Sequence, residues 1–150
     1  MTVTFTHSVP ISDSGQSAPH IGFDEVWESM LYKAEHPVEF VPSISECRVV
    51  ERYSDGFLRE ALFYGTTRVR ERVTPERDKC RIVFELLDHP EMAVIYNELH
   101  QDDWGQLTFT LTYVLRDKAV VAHEFLSRLD QTVRETATTT VETLRQTAHA

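Results

Sequence analysis

The sequence is poor in glycine, cysteine and basic residues, and it contains no long apolar run. Its five glycines are too few and too dispersed for a phosphate-cradling loop or a dinucleotide fingerprint, and no GxSxG elbow is present. The two cysteines, Cys47 and Cys80, fall on different predicted strands. Such a count excludes a disulfide framework and suits free thiols in a reducing, cytoplasmic setting. No stretch approaches the roughly 20 apolar residues of a membrane span, and Met1 to Pro10 lacks the basic start and apolar run of a signal peptide. The seven histidines are scattered without zinc-ligand spacing, so neither a metal nor a cofactor is expected. Lys plus Arg total 15 against 24 for Asp plus Glu, a formal charge of −9. That deficit of positive charge disfavours nucleic acid and anionic membrane as partners, because phosphate binding needs a basic surface.

What is present is the composition of an ordinary globular chain, 41% apolar and 26% charged over 150 residues, the size of one domain spanning 1–150. The most informative segment is Lys118 to Thr147. There Ala122, Leu126, Leu129, Val133, Ala137, Val141 and Leu144 recur at steps of three and four, the period of one long amphipathic helix. A helix of that length spans about 45 Å. A small protein buries it only by wrapping it in something long and curved, and a bent antiparallel sheet that does so tends to leave a cavity.

The rest of the chain supplies such a sheet. Thr2 to Ile11 reads as a first strand, and Ser12 to Gly22 as a loop. Phe23, Val26, Trp27, Met30, Leu31 and Ala34 give a short helical stripe that His36-Pro37 ends, because the residue before proline avoids helical angles. A second short turn is expected around Val38 to Val41. Strands follow at Ile44–Tyr53, Phe57–Tyr64, Thr67–Thr74, Arg81–Leu87, Met92–Leu99 and Leu107–Leu115. The last is the clearest, with Leu107, Phe109, Leu111, Tyr113 and Leu115 on one face and threonines on the other. The expected class is α+β, a helix-grip fold: a curved seven-stranded antiparallel sheet around a long C-terminal helix, with one or two short helices after the first strand.

Several short motifs in this order resemble a known family. Phe23-Asp-Glu-Val-Trp27, Lys33-Ala34-Glu-His-Pro37 and Phe40-Val41-Pro42 look like the opening of the AtaL-like branch of the START/polyketide-cyclase (SRPBCC) superfamily. Leu58-Arg59-Glu60, Val69-Arg70-Glu71-Arg72-Val73, Asn97 and Leu107-Thr108-Phe109 sit where that branch carries similar residues. Two departures stand out: Gly22 where a threonine N-cap is usual, and a longer loop from Ser12 to His20. The resemblance implies carriers and cyclases alike, which is analogy at the level of fold.

Two groups of residues are candidates for chemistry. If Gly65-Thr66 forms a two-residue turn, Glu60 faces Glu71 on an otherwise apolar strand face, while Arg59, Arg68, Arg70 and Arg72 occupy the other. Two carboxylates so placed share a proton, which suits general acid–base work, and Glu→Gln at either site should leave stability unchanged or raised. A turn one residue longer instead pairs Glu60 with Arg72 in an ordinary cross-strand salt bridge. The second group is the lining of the expected hollow: Trp27, Met30, Tyr64, Asn97, Phe109, Leu111, Tyr113, Phe125, Leu129 and Val133. Asn97, in phase with Ala93 and Ile95, and Thr136 and Thr140, near the helical stripe, break apolar faces with polar groups that need partners. The leading expectation is binding of a hydrophobic, aromatic or polyketide-like small molecule. A cofactor-free cyclase or isomerase using Glu60 or Glu71, with Tyr64 and Asn97 orienting substrate, is the alternative. A protein-interaction module with a filled core and an exposed apolar patch is the third.

Overall fold

The computed structural model describes residues 3–11, 22–116 and 123–148. Strand β1 (Thr4–Pro10) precedes helix α1 (Phe23–Glu35) and a single 3-10 turn (Pro37–Glu39). Then come β2 (Ile44–Tyr53), β3 (Gly56–Phe63), β4 (Thr67–Glu76), a 3-10 turn (Arg77–Lys79), β5 (Arg81–Leu86), β6 (Met92–Gln101), β7 (Leu107–Leu115) and helix α2 (His123–Ala148). All seven strands join one antiparallel sheet in the order β1-β7-β6-β5-β4-β3-β2. The loop Ser12 to His20 and the expected first turn of the long helix, Lys118 to Ala122, lie outside the described residues.

Local chemistry explains the elements. In β7 the five alternating apolar side chains are buried. The intervening hydroxyls of Thr110 and Thr112 meet Ser8 and Thr6 of β1 at 2.8 and 3.0 Å. Along α2, Leu129, Val133, Ala137, Val141 and Leu144 are buried at the helical period, with Thr136 and Thr140 among them. Near its C-terminal end, Arg145 donates to the carbonyls of Pro10 and Ile11 at 2.8 and 2.9 Å, fastening α2 to the end of β1. Helix α1 starts after Gly22 with Asp24 and Glu25 in its first turn. It ends at His36, whose N–H donates to the carbonyls of Tyr32 and Lys33.

The β3–β4 hairpin differs from both registers considered above. Its loop has three residues, Tyr64-Gly65-Thr66, and the extra one comes from the β3 side. Tyr64 (φ 54°) and Gly65 (φ 71°) are both left-handed, a backbone state that the tyrosine does not advertise in sequence. Phe63 therefore faces Thr67, Arg59 faces Glu71, and Glu60 faces Arg70. A one-residue slip turns every side chain of a strand to the other face. Phe57, Arg59, Ala61 and Phe63 point inward, and Glu60 points outward with Leu58 and Leu62. The proposed Glu60–Glu71 pair does not exist, and Glu60 does not face Arg72.

At the preceding hairpin, Gly56 lies so close to β4 that a Cβ there would stand 2.0 Å from the carbonyl oxygen of Val73. The glycine is required by that approach.

Candidate functional site

Between the concave sheet face and α2 lies a partly open cavity of about 390 Å³. Its walls are Phe63 from β3, Phe84 from β5, Met92 and Ile95 from β6, Leu111 and Tyr113 from β7, and Leu129 from α2. The exposed Tyr64 and Arg128 stand at its rim, and Thr132 and Thr136 contribute hydroxyls from the helix.

One end of the cavity is polar. Lys33 (5% exposed) reaches in from α1, Arg59 (4%) from β3 and Asn97 (2%) from β6; all three border the space. Glu71, fully buried on β4, holds Arg59 from behind: the guanidinium Nε and a terminal nitrogen donate to its two oxygens, each at 3.2 Å. The remaining terminal nitrogen of Arg59 donates to the carbonyl of Ala34 at 2.7 Å, tying β3 to α1, and the guanidinium lies 4.8 Å from the Phe84 ring centre. Lys33 Nζ donates to Asn97 Oδ1 and sits 5.4 and 6.0 Å from the ring centres of Phe84 and Phe109.

Electrostatics follow from this packing. Burial, assisted by the neighbouring Arg59 cation and opposed by Glu71, lowers the Lys33 ammonium to a pKa of about 7. Tyr113, which shares a hydrogen bond with Thr136, is pushed up to about 12 by burial and stays a neutral phenol at physiological pH. His89, also bordering the cavity, has its Nδ1 accepting the N–H groups of Glu91 and Met92 at 3.0 and 2.9 Å. Burial and the nearby Arg116 lower its pKa, consistent with a ring protonated on Nε2 alone.

Of the lining expected from sequence, Tyr64, Asn97, Leu111, Tyr113 and Leu129 border the cavity. Trp27, Met30, Phe109 and Val133 are buried in the core outside that lining. Trp27 stacks on Phe23 (ring centres 6.3 Å apart) under the guanidinium of Arg77, and Phe109 backs the polar end. The side chain of Phe125 lies outside the described residues. Glu60 is on the outer face beside Arg48 and Arg68, at 3.6 and 3.4 Å. Two other outer arginines are also ion-paired, Arg70 with Asp88 and Arg72 with Asp55. Cys47 and Cys80 are free thiols, and burial raises the pKa of Cys47.

Lys33 and Arg59 are the functional candidates that sequence reasoning missed. The signal for Lys33 was available: it falls seven residues after Val26 and three after Met30, on the same face of α1. Among the described residues no cluster of His, Cys, Asp or Glu is arranged to hold a metal ion, and no helix is long and apolar enough to cross a membrane.

A seven-stranded antiparallel sheet closed over a long helix defines the helix-grip fold. Solved structures share that architecture, among them the following two. The ZhuI aromatase/cyclase from Streptomyces sp. R1128 superposes with a TM-score of 0.67 at 15% identity, covering 99% of this chain and 94% of its own. Ara h 8.0201 does so with a TM-score of 0.64 at 10% identity, covering 96% and 98%. At those identities the likeness establishes the fold. No curated protein sequence matches the chain. The chain belongs to the AtaL family, described as acetylaranotin biosynthesis cluster protein L, whose model matches residues 5–150.

Proposed function

We propose that the protein holds an apolar, ring-bearing molecule of the polyketide type between sheet and α2, with a ligand oxygen directed at Lys33. The observation that carries this reading is the shape of the site: about 390 Å³ of space with apolar and aromatic walls, ending on a few convergent polar groups. That combination is the usual make-up of a small-molecule site, whose volume runs from roughly 300 to 1,000 Å³. The buried Lys33 ammonium has three donors and spends one on Asn97, so an oxygen acceptor on the ligand satisfies it further. Membership of a family described by a biosynthesis cluster, and the fold shared with an aromatase/cyclase, support a ligand of this chemical kind. An interaction module without ligand requires a filled core, which the cavity argues against. The acid–base alternative built on facing glutamates loses its premise with the register, since Glu71 has both oxygens engaged by Arg59.

The test is displacement of an apolar fluorescent dye by aromatic polyketide-like compounds, with expected dissociation constants in the micromolar range, about −8 kcal/mol. Leu129→Trp adds an indole to the cavity from α2. It should weaken dye binding at least tenfold while leaving the far-ultraviolet circular dichroism unchanged. A folded wild-type protein that takes up no dye would end this reading.

A further inference from the structure

The chain carries twelve arginines and only three lysines, Lys33, Lys79 and Lys118. Among the described residues arginine supplies the cation of each ion pair except that of Lys79 with Glu76. The one buried position that borders the cavity from α1 nevertheless holds a lysine. The two cations differ in one decisive respect: a guanidinium never gives up its proton in a protein, whereas a buried amine does.

We propose that Lys33 is an amine nucleophile that forms a reversible imine with an aldehyde or ketone carbonyl of the molecule held in the cavity. The inference rests on the reading of the cavity as an apolar ligand site, and it names the functional group that site accepts. Four features of the geometry support it. Lys33, although almost fully buried, is one of the residues that line the cavity. Asn97 Oδ1 accepts one of its N–H groups and so fixes the direction of the others. The rings of Phe84 and Phe109 flank it, with centres 5.4 and 6.0 Å from Nζ. The Arg59 guanidinium, anchored by Glu71 and the Ala34 carbonyl, disfavours a second positive charge beside it. A desolvated lysine next to a fixed cation is a general arrangement for generating neutral amine near pH 7.

The step balances without any further reagent. The Nζ lone pair adds to the carbonyl carbon as the C=O π pair moves to oxygen. A proton passes from nitrogen to that oxygen, giving a carbinolamine, and the hydroxyl then leaves with a second proton as water while the C=N bond forms. Carbonyl plus amine gives imine plus water, with no change of oxidation state. The charged groups that act on Lys33 are Arg59 on β3 and Glu71 on β4, and the other titratable groups lining the cavity are Tyr64 after β3, His89 before β6, Tyr113 on β7 and Arg128 on α2. Tyr113 keeps its proton throughout the neutral range. At pH 7 about one half of the Lys33 side chains are neutral, against about one in 3,000 for an ordinary lysine with pKa 10.5.

The experiment treats the full chain at pH 7 with 2-naphthaldehyde and sodium cyanoborohydride, which reduces an imine in place to a stable secondary amine. Peptide mass mapping then gives the labelling rate at Lys33, at the exposed Lys79 and at the N-terminal amine. Label at Lys33 at least a hundredfold faster than at Lys79, slowed by excess 2-naphthylmethanol and absent in Lys33→Met, is the expected result. The competition is run on wild-type protein, so it decides the matter even where the variant does not fold. If the aldehyde displaces the apolar dye but Lys33 is labelled no faster than Lys79, the nucleophile is refuted while the binding site stands. If neither the aldehyde nor the alcohol displaces dye from folded protein, both readings fall.

Discussion

Replacing Glu71 by glutamine tests the register of the β3–β4 hairpin and the anatomy of the site together. With the two glutamates facing each other, this change would relieve a repulsion and leave stability unchanged or raised. The observed pairing reverses the sign. Glu71 is fully buried and its partner Arg59 nearly so, with two hydrogen bonds of 3.2 Å between them. Removing one member of such a pair strands the other charge out of water, a loss of about 3–5 kcal/mol. Glutamine retains one acceptor but no charge, so about 3 kcal/mol is expected. At a urea slope of about 2 kcal/mol per molar, the unfolding midpoint should fall by about 1.5 M. Glu60→Gln serves as the internal control. Its carboxylate lies on the outer face between Arg48 and Arg68, where ion pairs contribute about 0–1 kcal/mol. The double change Arg59→Met with Glu71→Met should recover most of the loss, because replacing both ions with apolar groups of similar volume is often neutral or stabilising. Equal and small effects of Glu60→Gln and Glu71→Gln would refute the inward-facing assignment of Glu71.

Two further predictions concern stability. Lys33 titrates near 7 in the folded chain and near 10.5 when unfolded, so between those values the unfolded state binds more protons and stability rises with pH. Unfolding free energy should increase by about 1 kcal/mol from pH 7 to 8, before Cys47 and Tyr113 add substantial terms of opposite sign; Lys33→Met should flatten that slope in urea titrations. Gly56→Ala should lower stability by about 2–4 kcal/mol by thermal or urea unfolding, because its methyl group would meet the Val73 carbonyl; an unchanged midpoint would contradict the close strand approach.

The parts of the molecule that were legible in sequence are those with one wet face and one dry face. In β7 the alternation of large apolar residues with threonines admits a single orientation, and in α2 the stripe from Leu129 to Leu144 does the same. The phase of Asn97 with Ile95 likewise set it on the inner face. Strand β3 gave no such guidance. Its two faces carry Phe57, Arg59, Ala61, Phe63 and Leu58, Glu60, Leu62, each apolar with one charge, so the pattern fits either way round. The decision lay with Tyr64, whose left-handed backbone adds the loop residue that sets the register. Lys33 escaped for a different reason. A stripe defined by apolar residues passes over a lysine on the same face, although burial of a charged side chain is the more telling observation.

The hydrogen bonds at the polar end also hold the body of the protein shut. Because β1 and β2 form the two edges of the sheet, helix α1 is joined to strands it does not follow in sequence by Arg59 to the Ala34 carbonyl and by Lys33 to Asn97. Divergence within this architecture is therefore unequal in cost. A methylene gained or lost at Ile95, Leu111 or Leu129 reshapes the cavity at a cost of about 1 kcal/mol. A change at Lys33, Arg59, Glu71 or Asn97 loosens the joint between helix and sheet. The outline of the cavity can therefore change without disturbing this joint, whereas its polar end cannot.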